Sequence, residues 1–274
     1  MQVTTKVGSS ILIASDTIGS TAKKAENLFS NTDLNQTVTG KLEPVSTVDG
    51  RTFYYTVNGK ADGDAKEDAY TLYSSQEAFA TAYGLTGDAT VLPYTDYVFQ
   101  LKITNTEASA QDLKLTTLQL KYSGETDGNL AYRVAFFVEN ITSVAPTGTL
   151  GVSAGRANGI YAPSTAANQS DETGVNKAVS GAAAAPTALT LGDGSVDEYN
   201  QLTKLAEVPV ASSSAPASYY KVIARLYIEG EDTTCTNTTF AVLNGNWQLS
   251  LGLTLGTATA NVGALAMATT PVEP

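Results

Sequence analysis

Trp247, Leu249, Leu251, Leu253 and Leu255 stand at every second position, spaced by Gln248, Ser250, Gly252 and Thr254. Side chains alternate across a strand but turn around a helix every 3.6 residues, so only a strand puts these five on one face. That face must be buried and the other wetted, as in a sheet packed against a second layer. The same pattern recurs at Tyr97, Phe99, Leu101 and Ile103, at Leu130, Tyr132, Val134, Phe136 and Val138, and at Tyr220, Val222, Ala224, Leu226 and Ile228. Between the first two of these runs, Leu113 and Leu115 are out of phase with Leu118, Leu120 and Tyr122. A slip of one residue at Thr116-Thr117 marks a β-bulge, where two residues of one strand oppose one of its neighbour.

These runs predict three consecutive antiparallel strands between 97 and 138 and a strand pair between 219 and 255, sharing one core. The expected fold class is all-β: a single domain, 1–274, forming an antiparallel, jelly-roll-like sandwich. Trp247, Leu249, Leu251, Val222, Leu226, Phe99, Leu101 and Val134 should be buried in it. The β-branched and aromatic run "TFYYTV" at 52–57 adds a strand. Ser74 and Glu77 have capping-box spacing and Gly84 supplies a stop, which predicts one short helix at about 75–83 covering an open end of the sandwich.

Residues 141–218 differ in kind, being rich in Ala, Gly, Ser, Thr and Pro and poor in large side chains. A structureless loop of that length is uncommon inside a compact domain. The stretch predicts a long insertion, either flexible or ordered by lying across a neighbouring subunit. The N-terminal arm, 1–15, with its strand-prone "VTTKVGSSILIA", and the C-terminal tail, 257–274, carry the same expectation. The partners so implied are copies of this chain or other structural subunits, with contacts concentrated in those three segments.

Composition narrows the function. The 274 residues carry a net charge of −11 with 16 scattered Lys and Arg, which disfavours nucleic acid and anionic membrane surfaces as partners. No apolar run approaches the roughly 18 residues of a membrane span. One cysteine excludes an internal disulfide. The absence of histidine decides more than any motif present, because zinc sites, non-haem iron sites and most base-activated nucleophiles lean on imidazole. No cofactor is expected.

Local motifs add little against that background. Gly151 to Gly155 spells Gly-x-Ser-x-Gly, but its flanks are loop-like and no histidine base exists. Ser20 to Lys23 matches Ser-x-x-Lys without its companion triplets. Asp62, Asp64 and Asp68 begin like a calcium loop, yet Lys66 occupies a ligand position and the bidentate Glu is missing. A solvated hairpin tip is the favoured reading, and a looser calcium site on those three aspartates is its alternative. Asn35, Asn140, Asn168 and Asn237 sit in Asn-x-Ser/Thr triplets, which a Thr- and Ser-rich chain produces by chance. The acidic knot Glu229-Gly230-Glu231-Asp232 precedes Cys235. Its negative charges hold a thiol protonated, so Cys235 is expected to pack near a turn. Glu229, Glu231 and Asp232 are the candidate carboxylates of the strongest enzymatic alternative, a glycan-binding or glycosidase sandwich. The favoured reading of the knot is a strand-to-loop junction.

The block "VIARLYIEGEDTTCTNTTFAVLNGNWQLSLGLTL" resembles a C-terminal strand pair of phage-related and bacterial-surface β proteins, and more loosely the camelysin-type (TasA-like) matrix fibre subunits. "DYVFQLKITNTEASAQDLKL" is similar to their strand, Asn-Thr, strand hairpin. The resemblance spans about 35 residues of the chain. It implies a jelly-roll-like sandwich, polymer assembly and no catalysis. Two non-enzymatic expectations follow: a capsid-associated or decoration protein of a phage virion, and a secreted extracellular fibre subunit. The start Met1-Gln2-Val3-Thr4, without a charged-then-apolar leader, and the lack of disulfides tilt the expectation to the virion.

Overall fold

The computed structural model describes residues 8–15, 36–47, 49–55, 71–82, 91–122, 131–141, 159–163, 188–191, 204–230, 235 and 247–268. In chain order the elements are β1 (Ser10–Ser15), β2 (Gln36–Thr39), β3 (Lys41–Leu42), β4 (Tyr54–Tyr55), β5 (Thr71–Leu72), α1 (Gln76–Ala82), β6 (Val91–Leu92), β7 (Tyr94–Thr104) and β8 (Gln111–Tyr122). They continue with β9 (Tyr132–Ile141), β10 (Gly159–Pro163), β11 (Ala188–Leu191), β12 (Lys204–Val208), β13 (Ser218–Ile228), β14 (Trp247–Leu255) and β15 (Ala258–Ala268). A six-stranded sheet runs β1-β7-β13-β9-β10-β11 and a five-stranded sheet runs β12-β8-β14-β15-β2. The long strands pair antiparallel, and the parallel pairings β10–β11, β15–β2 and β3–β6 lie at the margins.

The alternating runs place one side of each sheet in a shared core. From the six-stranded sheet come Ile11, Ile13, Tyr97, Phe99, Leu101, Ile103, Val134, Phe136, Val222 and Leu226; from the five-stranded sheet come Leu113, Leu115, Leu118, Leu249, Leu251, Leu253 and Leu255. Seven of the eight residues expected in the core are buried there, and the side chain of Trp247 lies outside what is described. The fold is therefore all-β and sandwich-like, with one short helix among the described residues.

The phase slip proves to be a bulge. Gly252 faces Thr117 and Leu253 faces Leu115, which leaves Thr116 extra on β8. On the other edge of β14, Leu251 faces Gly263 and Gly252 faces Asn261, so Val262 is extra on β15. A bulged residue drops out of the ladder. The Tyr97 hydroxyl crosses the core from the opposite sheet and donates to the Val262 carbonyl at 3.1 Å. The two sheets are thus tied at the bulge by a side chain as well as by apolar burial.

Connectivity departs from the sequence-based expectation. β7, β8 and β9 are consecutive in the chain but not paired with one another, because β7 and β9 belong to the six-stranded sheet and β8 to the other. Likewise β13 and β14 lie in different sheets and are no strand pair. The Asn-Thr corner between β7 and β8 is a crossing between layers, not a hairpin. Buried Asn105 holds it: its side-chain amide donates to the carbonyls of Ser109 and Val208, each at 3.0 Å, and its Oδ1 accepts from Glu107 N at 3.0 Å. An amide that offers both donor and acceptor suits a corner where three backbone groups converge.

The described parts of all three arms form strands within the chain. β1, in the 1–15 arm, pairs with β7 from Ser10↔Thr104 to Ser15↔Phe99. The 141–218 stretch supplies β10, β11 and β12 to the two sheets. The 257–274 tail supplies β15, which pairs with β14. Their described parts pair within this chain's own layers. The β14–β15 connection is Gly256-Thr257, with φ of +56° at Gly256 alone, the first-position sign that a type II′ hairpin turn requires.

α1 covers a sheet face, not an open end. Its cap is Ser75, one residue later than the predicted Ser74: Ser75 Oγ accepts from Ala78 N at 3.1 Å. Phe79 is fully buried and, with Val45, Phe53, Tyr55 and Val91, lies on Ala135, Phe137, Ile160, Ile223 and Tyr227 of the six-stranded sheet. β13 is accordingly buried on both faces, where one polar face was expected. The β4–β5 pair, α1 and Val91 of β6 form a third layer, while Leu42 of β3 and Leu92 of β6 pack with the sandwich core.

Candidate functional site

Charge is concentrated between the six-stranded sheet and this third layer. Tyr220 to Ile228 alternate, and the even-numbered side chains enter the sandwich core while Ile223, Arg225 and Tyr227 face the cover. Arg225 stands opposite Asp96 on β7 and Ala135 on β9. It grips the Asp96 carboxylate through Nε at 2.7 Å and Nη2 at 2.8 Å, the two-pronged geometry that guanidinium planarity favours. Its Nη1 donates to the Gly50 carbonyl at 3.3 Å. The guanidinium carbon lies 3.8 Å from the Tyr94 ring centroid, within cation–π range. Phe53 packs 4.9 Å from Tyr94 and edge-on to Tyr227 at 5.2 Å, closing the roof. Burial pulls the Arg225 pKa down, but the hydrogen bonds and charge of Asp96 outweigh it, with smaller help from Tyr94 and Asp49, so the net direction is up.

The turn that delivers Gly50 is built by its own side chains. Thr47 Oγ1 accepts from Gly50 N at 3.0 Å, and Asp49 Oδ1 accepts from Arg51 N at 2.8 Å and Thr52 N at 2.7 Å. Short polar residues that bond the backbone just ahead of them favour such a turn.

A second group sits at the end of β13. Glu229 is 2% exposed, its backbone N donates to Ala131 O at 2.7 Å, and the Ser46 hydroxyl donates to its carboxylate. Val45 N donates to Ile228 O, and Gly230 N to Val45 O, each at 2.9 Å, which stitches residues 45–46 beside the strand end. A Cβ at Gly230 would lie 3.2 Å from Pro44 Cβ, a tight contact that Pro44 would have to yield to by a few tenths of an ångström. Buried Arg133 lies opposite Tyr227 and donates to the Tyr132 carbonyl at 3.0 Å. Burial, then the charge of Glu229 and more weakly Asp49, push the Tyr227 phenol well above its ordinary value against the pull of Arg133. Glu43, between Leu42 of the sandwich core and Val45 of the cover, is buried, and desolvation raises its carboxyl to about 7 despite Lys41.

Of the carboxylates singled out in the sequence, Glu229 is therefore a buried structural anchor at a strand-to-loop junction. Glu231 and Asp232 lie outside the described residues, as do Asp62, Asp64 and Asp68, Ser20 to Lys23 and Gly151 to Gly155. Cys235 is half-buried and packs against the main core. Asn140 is exposed on β9. Arg225, Asp96, Arg133 and Glu43 belong to no motif that singles them out in the sequence. The signal was a charge set inside "VIARLYI" between Ile223 and Tyr227 on the face taken as polar. A charge flanked on its own face by large apolar residues marks a second buried layer. Among the described residues no group of three or more Cys, Asp and Glu side chains gathers as a metal site, and no helix is long and apolar enough to cross a membrane.

Searches of the chain against protein-family models and against curated proteins find no match.

Proposed function

We propose that the chain is a non-enzymatic structural subunit of a large assembly, a capsid-associated or decoration protein of a phage virion. The observation that carries this reading is the use made of charge. Arg225, Asp96 and Glu229 pin a third layer onto the sandwich instead of lining an open cleft. Glu229, the one described carboxylate of the glycosidase alternative, is sealed at 2% exposure, whereas glycoside hydrolysis needs its carboxyls against the sugar. Few charges, no disulfide and many small hydroxyl residues suit a surface meant for packing among neighbours.

The finer fold assignment belongs to the same proposal. β7, β8 and β9 alternate between the sheets and β13 returns between β7 and β9, a crossing pattern in keeping with a jelly roll. Partners are copies of this chain or other shell subunits. Mass spectrometry of particles banded from a lysate of the source culture tests the reading. Stoichiometric recovery with the particles is expected. Recovery only in extracellular fibres would replace the virion with the fibre subunit, and glycan hydrolysis abolished by Glu229→Gln would overturn the structural role.

A further inference from the structure

We propose that two copies of this chain dock edge to edge at the rim where β1 and the first half of β15 end the sandwich, with Leu12 of each on a shared two-fold axis. This rests on the reading as an assembling subunit and adds to it the surface and the partner. β1 is the outermost strand of the six-stranded sheet: it pairs with β7, and among the described residues no strand lies beyond it. It packs above β15. β2 borders β15 only over residues 265–268, so among the described residues the edge over 258–262 is open as well. The two open stretches stand at one level. Tyr97 reaches across the core to Val262, and the far end of β7 turns through Asn105 towards Gln111, which lies beside Gly256. The part of β7 that β1 borders, residues 99–104, therefore lies above residues 258–262, and both layers end together there.

A sheet edge offers a row of backbone N–H and C=O groups, and chains blunt it with charge, proline or a bulge. The β12 edge is blunted in this way. Lys204 and Glu207 are exposed and ion-paired, Pro209 follows the strand, and the carbonyls of Glu207 and Val208 accept from the Tyr220 hydroxyl and the Asn105 side-chain amide at 2.9 and 3.0 Å. β1 has none of these devices. It reads Ser-Ile-Leu-Ile-Ala-Ser, without charge or proline, and its register with β7 is unbroken. Ala258, Thr259 and Ala260 below it are small and uncharged.

A second copy fits this rim because it brings up both layers at once, where a single added strand would extend only one. The pleat then sets the register. Ile11 and Ile13 face the core at 4% and 2% exposure, and Leu12 faces outward, half-buried. Residues opposed in an antiparallel pair share a face, so core-facing residues must meet core-facing residues. Pairing about Leu12 opposes Leu12 to Leu12 of the second copy on the outer face, and Ile11 to its Ile13 on the core side. It is the one centre that opposes isoleucine to isoleucine at both core positions. Four isoleucines then run the two cores together, and the edge groups of both β1 strands are used.

Sedimentation velocity over a concentration series of the purified chain tests the contact. A concentration-dependent dimer is expected. Leu12→Lys sets like charges opposite each other without touching the core and should weaken the dimer by about 10- to 100-fold. A wild-type chain that stays monomeric, or a Leu12→Lys dimer of unchanged strength, overturns the proposal. Cysteine replacement reads the register. Directly opposed residues lie about 4.5–5.5 Å apart at Cα, within disulfide reach, so Leu12→Cys should oxidise to a dimer linked from residue 12 to residue 12, located by peptide mass spectrometry. Ala14→Cys, offset from its own copy, should not link to itself. A dimer whose residue-12 cysteines stay reduced, or equally ready linking of Ala14→Cys, overturns it too. A monomeric chain still recovered stoichiometrically with particles would remove this contact alone. A residue-12-linked dimer absent from particles would support the contact and remove the virion assignment alone.

Discussion

Removing the carboxylate of Asp96 while leaving Arg225 in place isolates what the buried ion pair does. The Arg225 side chain is 5% exposed and that of Asp96 26%. Asp96→Ala deletes two charge-assisted bonds of 2.7 and 2.8 Å and strands a guanidinium under Phe53 and Tyr94. Breaking a fully buried pair costs about 3–5 kcal/mol. Water can enter at the Asp96 side, and the Tyr94 face still attracts the cation, so about 2–4 kcal/mol is expected here. Arg225→Met leaves an aspartate that can turn to solvent, and its loss is mostly packing, about 1–2 kcal/mol. The double variant Asp96→Leu/Arg225→Met removes both charges and keeps volume, and should fall within about 1 kcal/mol of the wild type. Urea unfolding of these four proteins and of Asp96→Leu alone, which closes the cycle, gives the coupling energy, with equal slopes as the check on two-state behaviour. A loss below about 1 kcal/mol for Asp96→Ala, or a double variant as weak as the sum of the singles, refutes the reasoning.

Tyr97→Phe keeps the ring beside Phe99 but leaves the bulged Val262 carbonyl without its donor, which should lower urea stability by about 1–3 kcal/mol; a change under about 0.5 kcal/mol would mean water serves the bulge equally well. Phe79→Ala empties the space between Tyr55 and Tyr73, whose rings lie 4.9 and 5.6 Å away, and should cost about 3–5 kcal/mol by the same assay. Ser75→Ala removes the helix cap and should cost about 1 kcal/mol, whereas Ser74→Ala should be nearly silent, which separates the observed cap from the predicted one by thermal melting.

The legible part of this fold was the part written in large side chains. β7, β8 with its bulge at Thr116, β13 and β14 announce themselves because Leu, Val, Ile and aromatic residues alternate where one face is dry. β15 does not, since "ATANVGALAMA" carries alanine and glycine where a legible core strand would alternate large side chains. β10, β11 and β12 were hidden in a Ser- and Ala-rich stretch for the same reason. Pairing was less legible than strand position: alternation states which face is buried, not which strand lies alongside. The charged layer stayed hidden because its cover, which draws Val45, Phe53, Tyr55, Phe79 and Val91 from separate short segments, carries no run long enough to declare a layer. Only Ile223 and Tyr227 on the second face of β13 hinted that something must lie above them.

The position of β13 has a consequence for synthesis on the ribosome. It is the middle strand between β7 and β9, yet roughly 120 residues of chain follow β7 before β13 is complete. At about 5–20 residues per second, β7 waits roughly 6–25 s for its inner neighbour, and β9 roughly 4–17 s. Through that interval two apolar strands each stand with an open edge, and the pairings that close them, β7–β13 and β9–β13, are distant in sequence and slow to form. A chain stopped short of Ile228 cannot assemble the six-stranded sheet at all. Truncated products should therefore seek strand partners in other chains, and stalled or rapid synthesis should favour aggregates over partly folded monomers.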